Sequence, residues 1–227
     1  MAKVPSTEAP PVDACAVADN IAIVRERIAR AGGDGRTRLV AVTKGFGTDA
    51  IRAAIAGGAD AIGENYAPEL ERKLASLEGE PMIPVHFIGQ IQRNKVRVVA
   101  HGVSLWHSVD RVEIGREIAR RSPGATVLVQ VNVTRDAGRG GCGLEDVDSL
   151  VGALRELSLD VLGLMAVGPA ADLVASRDCF SSLATRARSL GLRELSMGMS
   201  DDLEPAVECG ATYVRIGRSL FGSRPAL

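Results

Sequence analysis

Eight short apolar runs alternate with helical stretches along almost the whole chain, and that alternation leaves few folds open. Strand-like runs fall at 39–44, 59–63, 84–88, 104–108, 126–133, 159–166, 194–197 and 212–216. Between them lie segments with helical periodicity: through Ile55, 68–77, 93–100, 110–121, 145–157, 171–190 and up to Cys209, with a last turn at 218–221. Such alternation predicts βαβ units and a parallel sheet. A count of eight favours closure into a single-domain (β/α)8 TIM barrel over an open sheet. An extra helix precedes the first strand, because Val17, Ile21, Val24 and Ile28 recur at helical spacing, with Asp13 as a cap and Gly32-Gly33 as a stop. The expected α/β organisation is a loose tail over 1–11 and one barrel domain over 12–227. A length of 227 residues suits that fold.

Charge and cysteine usage narrow the partners. With 27 basic against 28 acidic residues the net charge is −1, and no long run of either sign occurs, which argues against nucleic acid or an anionic membrane as partner. Cys15, Cys142, Cys179 and Cys209 lie far apart without metal-ligand spacing, so neither zinc nor a disulfide framework is expected. Residues 1–11 hold Pro5, Pro10 and Pro11 and no apolar signal core. The expected location is therefore the cytoplasm.

In a barrel of this kind every strand opens at one mouth, where sites form. The first strand, Leu39-Val40-Ala41-Val42-Thr43-Lys44, runs into Gly45-Phe46-Gly47. At a period of two, Val40, Val42 and Lys44 share one face, so an apolar face ends in an amine. Partial burial there would lower the amine's pKa and make it a nucleophile toward carbonyls; the plainer alternative is a lysine left in water. At the other side of the mouth, Gly198-Met199-Ser200 and Gly217-Arg218-Ser219 each precede a helix, the usual phosphate position of this barrel. Ser200 adds a hydroxyl and Gly217 a close backbone approach, although a simple cap and a simple turn would look the same. Asp201 and Asp202 must point away from any bound phosphate. Arg215 alternates with Val214 and Ile216, which puts it inside the mouth, either salt-bridged to an acid such as Glu64 or contacting a ligand.

Other candidates carry less. Gly138-Arg139-Gly140-Gly141-Cys142-Gly143 fits G-x-G-x-x-G but lacks the strand–turn–helix context of a dinucleotide site, and reads as a mobile loop with an unremarkable thiol. His86, His101 and His107 show no metal spacing. His86 is expected to line the barrel interior, where a packed, hydrogen-bonded histidine is the default, and it is kept as a candidate cofactor contact.

Taken together, Ala41-Val42-Thr43-Lys44, Gly63-Glu64-Asn65-Tyr66, His86-Phe87-Ile88-Gly89 with Gln92, Asn94 and Lys95, Gly163-Leu164-Met165-Ala166, Ser196-Met197-Gly198-Met199-Ser200-Asp201-Asp202 and Val214-Arg215-Ile216-Gly217 closely resemble the pyridoxal phosphate homeostasis protein family, the YggS/PROSC type. The resemblance implies a fold-type III barrel like the alanine racemase N-terminal domain, with pyridoxal 5'-phosphate (PLP) held as an internal aldimine on Lys44. It also implies that Ser200, Gly217 and Arg218, with the Met199 backbone, hold the phosphate, that Arg215 faces the pyridine nitrogen, and that Asn65 lies near the ring. It implies a carrier that buffers PLP and supplies it transiently to PLP-dependent apo-enzymes, without established turnover, and a monomer is the expectation. Two departures stand out: many relatives have threonine at Arg218, and the 138–143 loop lacks their lysine.

Two alternatives stay open. One is a fold-type III enzyme such as a weak amino-acid racemase, although an arginine facing the pyridine nitrogen weakens the electron sink and a second base is not evident when Tyr66 and Tyr213 are the only tyrosines. The other is a Schiff-base aldolase on a phosphorylated sugar.

Overall fold

A computed structural model describes residues 11–223 apart from 34, 135, 137, 170 and 171. The tail expected over 1–11 thus lies, but for Pro11, outside the described residues. Among these, eight parallel strands close in sequence order, β1 (Arg38–Val42), β2 (Ala61–Glu64), β3 (Val85–Phe87), β4 (Leu105–Val109), β5 (Thr126–Gln130), β6 (Asp160–Met165), β7 (Glu194–Ser196) and β8 (Tyr213–Ile216). The last pairs with the first in parallel, Arg38 with Tyr213 through Ala41 with Ile216. Helices α1 (Ala14–Arg30), α2 (Thr48–Ala56), α3 (Ala67–Ser76), α4 (Arg93–Val99), α5 (Val112–Arg121), α6 (Val147–Glu156), α7 (Leu173–Ser189), α8 (Leu203–Glu208) and α9 (Arg218–Phe221) cover the ring. The (β/α)8 barrel and its extra first helix are as the alternation predicts.

Strand parity explains the two layers of core. Leu39, Ala41, Val127, Val129, Val214 and Ile216 face outward into the large cluster shared with the helices, whereas Val40, Leu128 and Tyr213 belong to a small cluster inside the ring. The parity also settles Glu64. Ala61 is inside and Ile62 outside, so Glu64 faces out toward α3 and cannot meet Arg215, which shares the inward parity of Tyr213. Of the two readings open for Arg215, the bridge to Glu64 is therefore ruled out, and Arg215 takes other partners, described below.

Several boundaries move for identifiable reasons. Helix α1 starts as expected, the Asp13 carboxylate accepting from the Cys15 and Ala16 amides, and buries Val17, Ile21, Val24 and Ile28. By contrast α2 is capped by Gly47 without a side chain, because the Asp49 carboxylate turns to the Val12 amide at 2.7 Å. Asp110 likewise pairs with Arg111 instead of capping α5. Strand β5 stops at Gln130, and Val131 then bridges to Cys142. That bridge and its neighbours tie down the 138–143 loop: the Cys142 amide donates to the Gln130 carbonyl at 3.0 Å, the Asn132 amide to the Cys142 carbonyl at 2.9 Å, and Arg139 to the Val167 and Gly168 carbonyls. Burial pushes the Cys142 thiol up to about 11, which agrees with an unreactive cysteine.

Candidate functional site

Lys44, two residues past the end of β1, stands on a tight turn. The Phe46 amide donates to the Thr43 carbonyl at 3.1 Å, and Gly45 has φ +78°, so Lys44 occupies the second position of a turn whose third position calls for glycine. Lys44 is half-buried and lines a cleft of about 810 Å³ at the mouth of the barrel. Asn65, Met199, Ser200, Arg215, Gly217 and Arg218 line the same cleft, so seven of the eight candidate residues meet there. His86 is the exception. It lies deeper, 5% exposed, inside the ring.

The anion side of the cleft is built differently from the two-helix arrangement expected of it. Helix α8 begins only at Leu203 and has six residues, and α9 has four. Local donors therefore carry the site more than helix dipoles do. Gly198 has φ +90°, and a Cβ there would lie 2.5 Å from the Ala206 Cβ, so only glycine lets the chain turn toward the cleft. The buried Asp202 carboxylate accepts the Met199 amide at 2.6 Å. That bond occupies the N–H through which a Met199 backbone contact to phosphate is expected, while the Met199 side chain lines the cleft. Asp201 pairs with Arg218, which neutralises the acid that would oppose an anion.

The two turns are tied to each other and to α1. The Ser219 amide donates to the Ser200 Oγ at 3.3 Å, leaving the hydroxyl proton of Ser200 to donate onward. A Cβ on Gly217 would come within 3.3 Å of the Val42 carbonyl oxygen, so glycine keeps this turn close to β1. The amide of Arg218, first residue of α9, has no intrahelical partner by construction. From α1, Arg27 donates to the Ser200 carbonyl at 3.2 Å and grips Glu204, while Asn20 donates to the Leu220 carbonyl at 3.0 Å. In the sequence only the apolar stripe of α1 is readable; its polar reach to this site is not.

Under the cleft runs a buried polar chain. Arg215 donates to the Ser196 Oγ at 2.6 Å and to the Ala166 carbonyl at 2.9 Å. The Ser196 Oγ meets the His107 Nδ1 at 2.8 Å, and the His107 Nε2 meets the His86 Nδ1 at 3.0 Å. Burial lowers Arg215 to about 10 against a smaller opposing pull from Asp202, so it remains a cation at neutral pH. Its two hydrogen-bonded partners are both neutral. Burial also lowers His86, to about 4, and His107 well below its ordinary value. The pair is neutral at pH 7 and fills space that branched aliphatics usually occupy in such barrels.

A second buried cluster, which sequence reasoning missed, lies on the outer side of the Lys44 turn. Lys73 reaches the Thr43 carbonyl at 2.8 Å, the Glu64 Oε1 at 2.6 Å and the Glu69 Oε1 at 2.7 Å. A signal was available: Lys73 falls on the stripe Ala67, Leu70, Leu74 and Leu77 that α3 turns to the core.

The residues at the mouth suit one kind of molecule. An amine, a hydroxyl donor beside a free first-turn amide, a buried guanidinium and the buried, unpartnered Asn65 Oδ1 suit a small aromatic aldehyde that carries a phosphate. A closed barrel with this mouth is the class of the alanine racemase N-terminal domain, whose family model matches residues 12–225. Alanine racemase from Corynebacterium glutamicum shares that fold, with a TM-score of 0.73 at 17% identity over 95% of this chain and 62% of that one. The structure of PipY from Synechococcus elongatus with PLP bound has a TM-score of 0.79 at 29% identity, covering 91% of this chain and all (100%) of that one. The pyridoxal phosphate homeostasis protein of Pseudomonas aeruginosa is 42% identical over 221 residues, 92% of this chain and 96% of that protein. Its counterpart in Deinococcus radiodurans is 40% identical over 206 residues, 88% and 97% respectively. The chain belongs to the pyridoxal phosphate homeostasis protein family.

Proposed function

We propose that the protein binds PLP in this cleft through an imine to Lys44 and serves to hold and deliver the cofactor without turnover of its own. The observation that carries the reading is the convergence of Lys44, Ser200, Gly217 and Arg215 on one cleft. In the proposed arrangement the amine joins the aldehyde carbon with loss of water, the Ser200 hydroxyl and the Arg218 amide take the phosphate, and Arg215 faces the pyridine nitrogen. Arginine has only protons to give, so that nitrogen stays unprotonated and the ring is a weaker electron sink. The exposed Tyr66 and Met199 at the rim fit a site from which the cofactor can leave. We further propose that it acts as a cytoplasmic monomer that meets recipient apo-enzymes transiently. No helix among the described residues is long and apolar enough to cross a membrane.

The test is visible absorbance of the purified protein before and after borohydride, with mass mapping of the trapped lysine. A reduced adduct on Lys44 is the expected result; an adduct elsewhere, or none, ends the reading. Incubation with a panel of L-amino acids separates the carrier from a racemase, because Tyr66 is the one tyrosine that lines the cleft. Racemisation or transamination there would replace the carrier function with an enzymatic one. A protein that is colourless with PLP but cleaves a phosphorylated ketose would be the aldolase. Ser200→Ala is expected to weaken PLP binding about tenfold, the loss of one hydrogen bond to a charged group, with the imine absorbance retained. Titration of the variant with PLP measures it.

A further inference from the structure

The Lys73 cluster closes around the turn that carries Lys44. Besides its bond to the Thr43 carbonyl, the ammonium holds Glu64, whose Oε1 also accepts the Thr43 hydroxyl at 2.6 Å. It holds Glu69 as well, whose Oε1 also accepts the Gly45 amide at 2.7 Å. One cation thus grips the residue before Lys44 directly and through Glu64, and the residue after it through Glu69. All three ammonium protons are used. Lys73 is 5% exposed and Glu64 fully buried (0%), so this pair lies in the core, while Glu69 reaches the wall of the cleft.

A buried group of two carboxylates and one ammonium is a poor way to gain stability, since apolar residues of the same volume often do as well or better. This cluster is also incomplete as a structural device, because the Glu64 Oε2 has no partner. What it does achieve is geometric. A turn of four residues with a glycine at its third position would otherwise be free to rock, and with it the half-buried side chain of Lys44.

We propose that Lys73, acting through Glu64 and Glu69, is a positioning residue for Lys44: it clamps the backbone on both sides of the turn so that the amine enters the cleft already aimed. The inference rests on the proposed imine at Lys44. Its consequence is kinetic, because an amine displaced by about 1 Å reacts far more slowly although it is still present.

The test compares the wild type with Glu64→Gln/Lys73→Met and with Glu69→Ala. The double variant replaces the ion pair by neutral residues of similar size, and should keep a melting temperature near that of the wild type while forming the imine with added PLP at least about tenfold more slowly. Glu69→Ala releases the Gly45 amide from a side chain that reaches the surface. In the cofactor-free protein it should speed hydrogen exchange at Gly45 about tenfold or more, and it should also slow capture. A folded double variant that captures PLP at the wild-type rate would overturn the proposal, and so would unchanged Gly45 exchange in Glu69→Ala. Should the double variant not fold, the exchange and capture rates of Glu69→Ala decide alone. Failure of the underlying reading looks different: the wild type itself would then give no adduct on Lys44.

Discussion

Lys44→Ala protein, purified beside the wild type, is expected to be colourless with PLP, to yield no adduct with borohydride, and to bind the cofactor at least about a hundredfold more weakly. The size of the loss follows from tethering. An amine held at the aldehyde acts at an effective concentration far above any free amine, and that advantage disappears with the side chain. The fold should survive, because Lys44 is half-buried on a turn and contributes to neither apolar cluster. Substitutions at such positions usually change stability by about 0.5 kcal/mol or less. Residual binding through Ser200 and the Arg218 amide should remain, and inorganic phosphate should compete with it. Absorbance, borohydride trapping and a melting curve on the same sample check all three statements. A Lys44→Ala protein that stays yellow after dialysis would place the imine on another lysine.

How much of this was legible beforehand depends on whether a contact is local in sequence. Lys44, Ser200, Arg215 and Gly217 could be found because strand ends share one mouth in a closed barrel, so topology alone collects them. Parity did the same for Arg215, which alternates with Val214 and Ile216. Contacts made by long polar side chains across the fold were not legible. Nothing near Asp202 in sequence indicates that its carboxylate turns back to the Met199 amide, and nothing near Arg27 points to the Ser200 carbonyl, 173 positions away. The apolar pattern ends the second strand at Gly63, one residue short, which leaves the direction of Glu64 open. The structure extends β2 to Glu64 and so sets its parity outward. Asp49 and Asp110 lie at helix starts yet cap neither helix, for a similar reason: a short acidic side chain caps only when no stronger partner competes, and the Val12 amide and Arg111 do.

The barrel interior should also make the protein sensitive to acid, with a sign and a window that follow from its buried histidines. In the unfolded chain a histidine titrates near 6.5, whereas burial, aided by the Arg38 cation, holds His86 at about 4 in the fold, and burial together with His86, Arg215 and Arg38 pushes His107 lower as well. Below 6.5 the unfolded state therefore takes up protons that the native state refuses. The stabilisation from keeping these rings neutral is complete above 6.5 and is lost as pH falls toward 4, about 3 kcal/mol for His86 alone. The network adds to the effect of burial at His107, since a proton there would set a second cation one hydroxyl away from the Arg215 guanidinium. Glu64 works in the opposite direction. Burial raises its carboxyl against the pull of Lys73, so the native state holds that proton more tightly, and this contribution falls as pH rises from 4.5 toward the raised value. Urea midpoints of the cofactor-free protein between pH 7 and pH 4.5 should fall with acidification. The fall should be steeper in Glu64→Gln, which lacks the opposing group, and shallower in His86→Gln. Equal slopes in the wild type and His86→Gln would mean that the ring takes up its proton inside the barrel as readily as in the unfolded chain, and the neutral hydrogen-bonded chain from Arg215 to His86 would have to be redrawn.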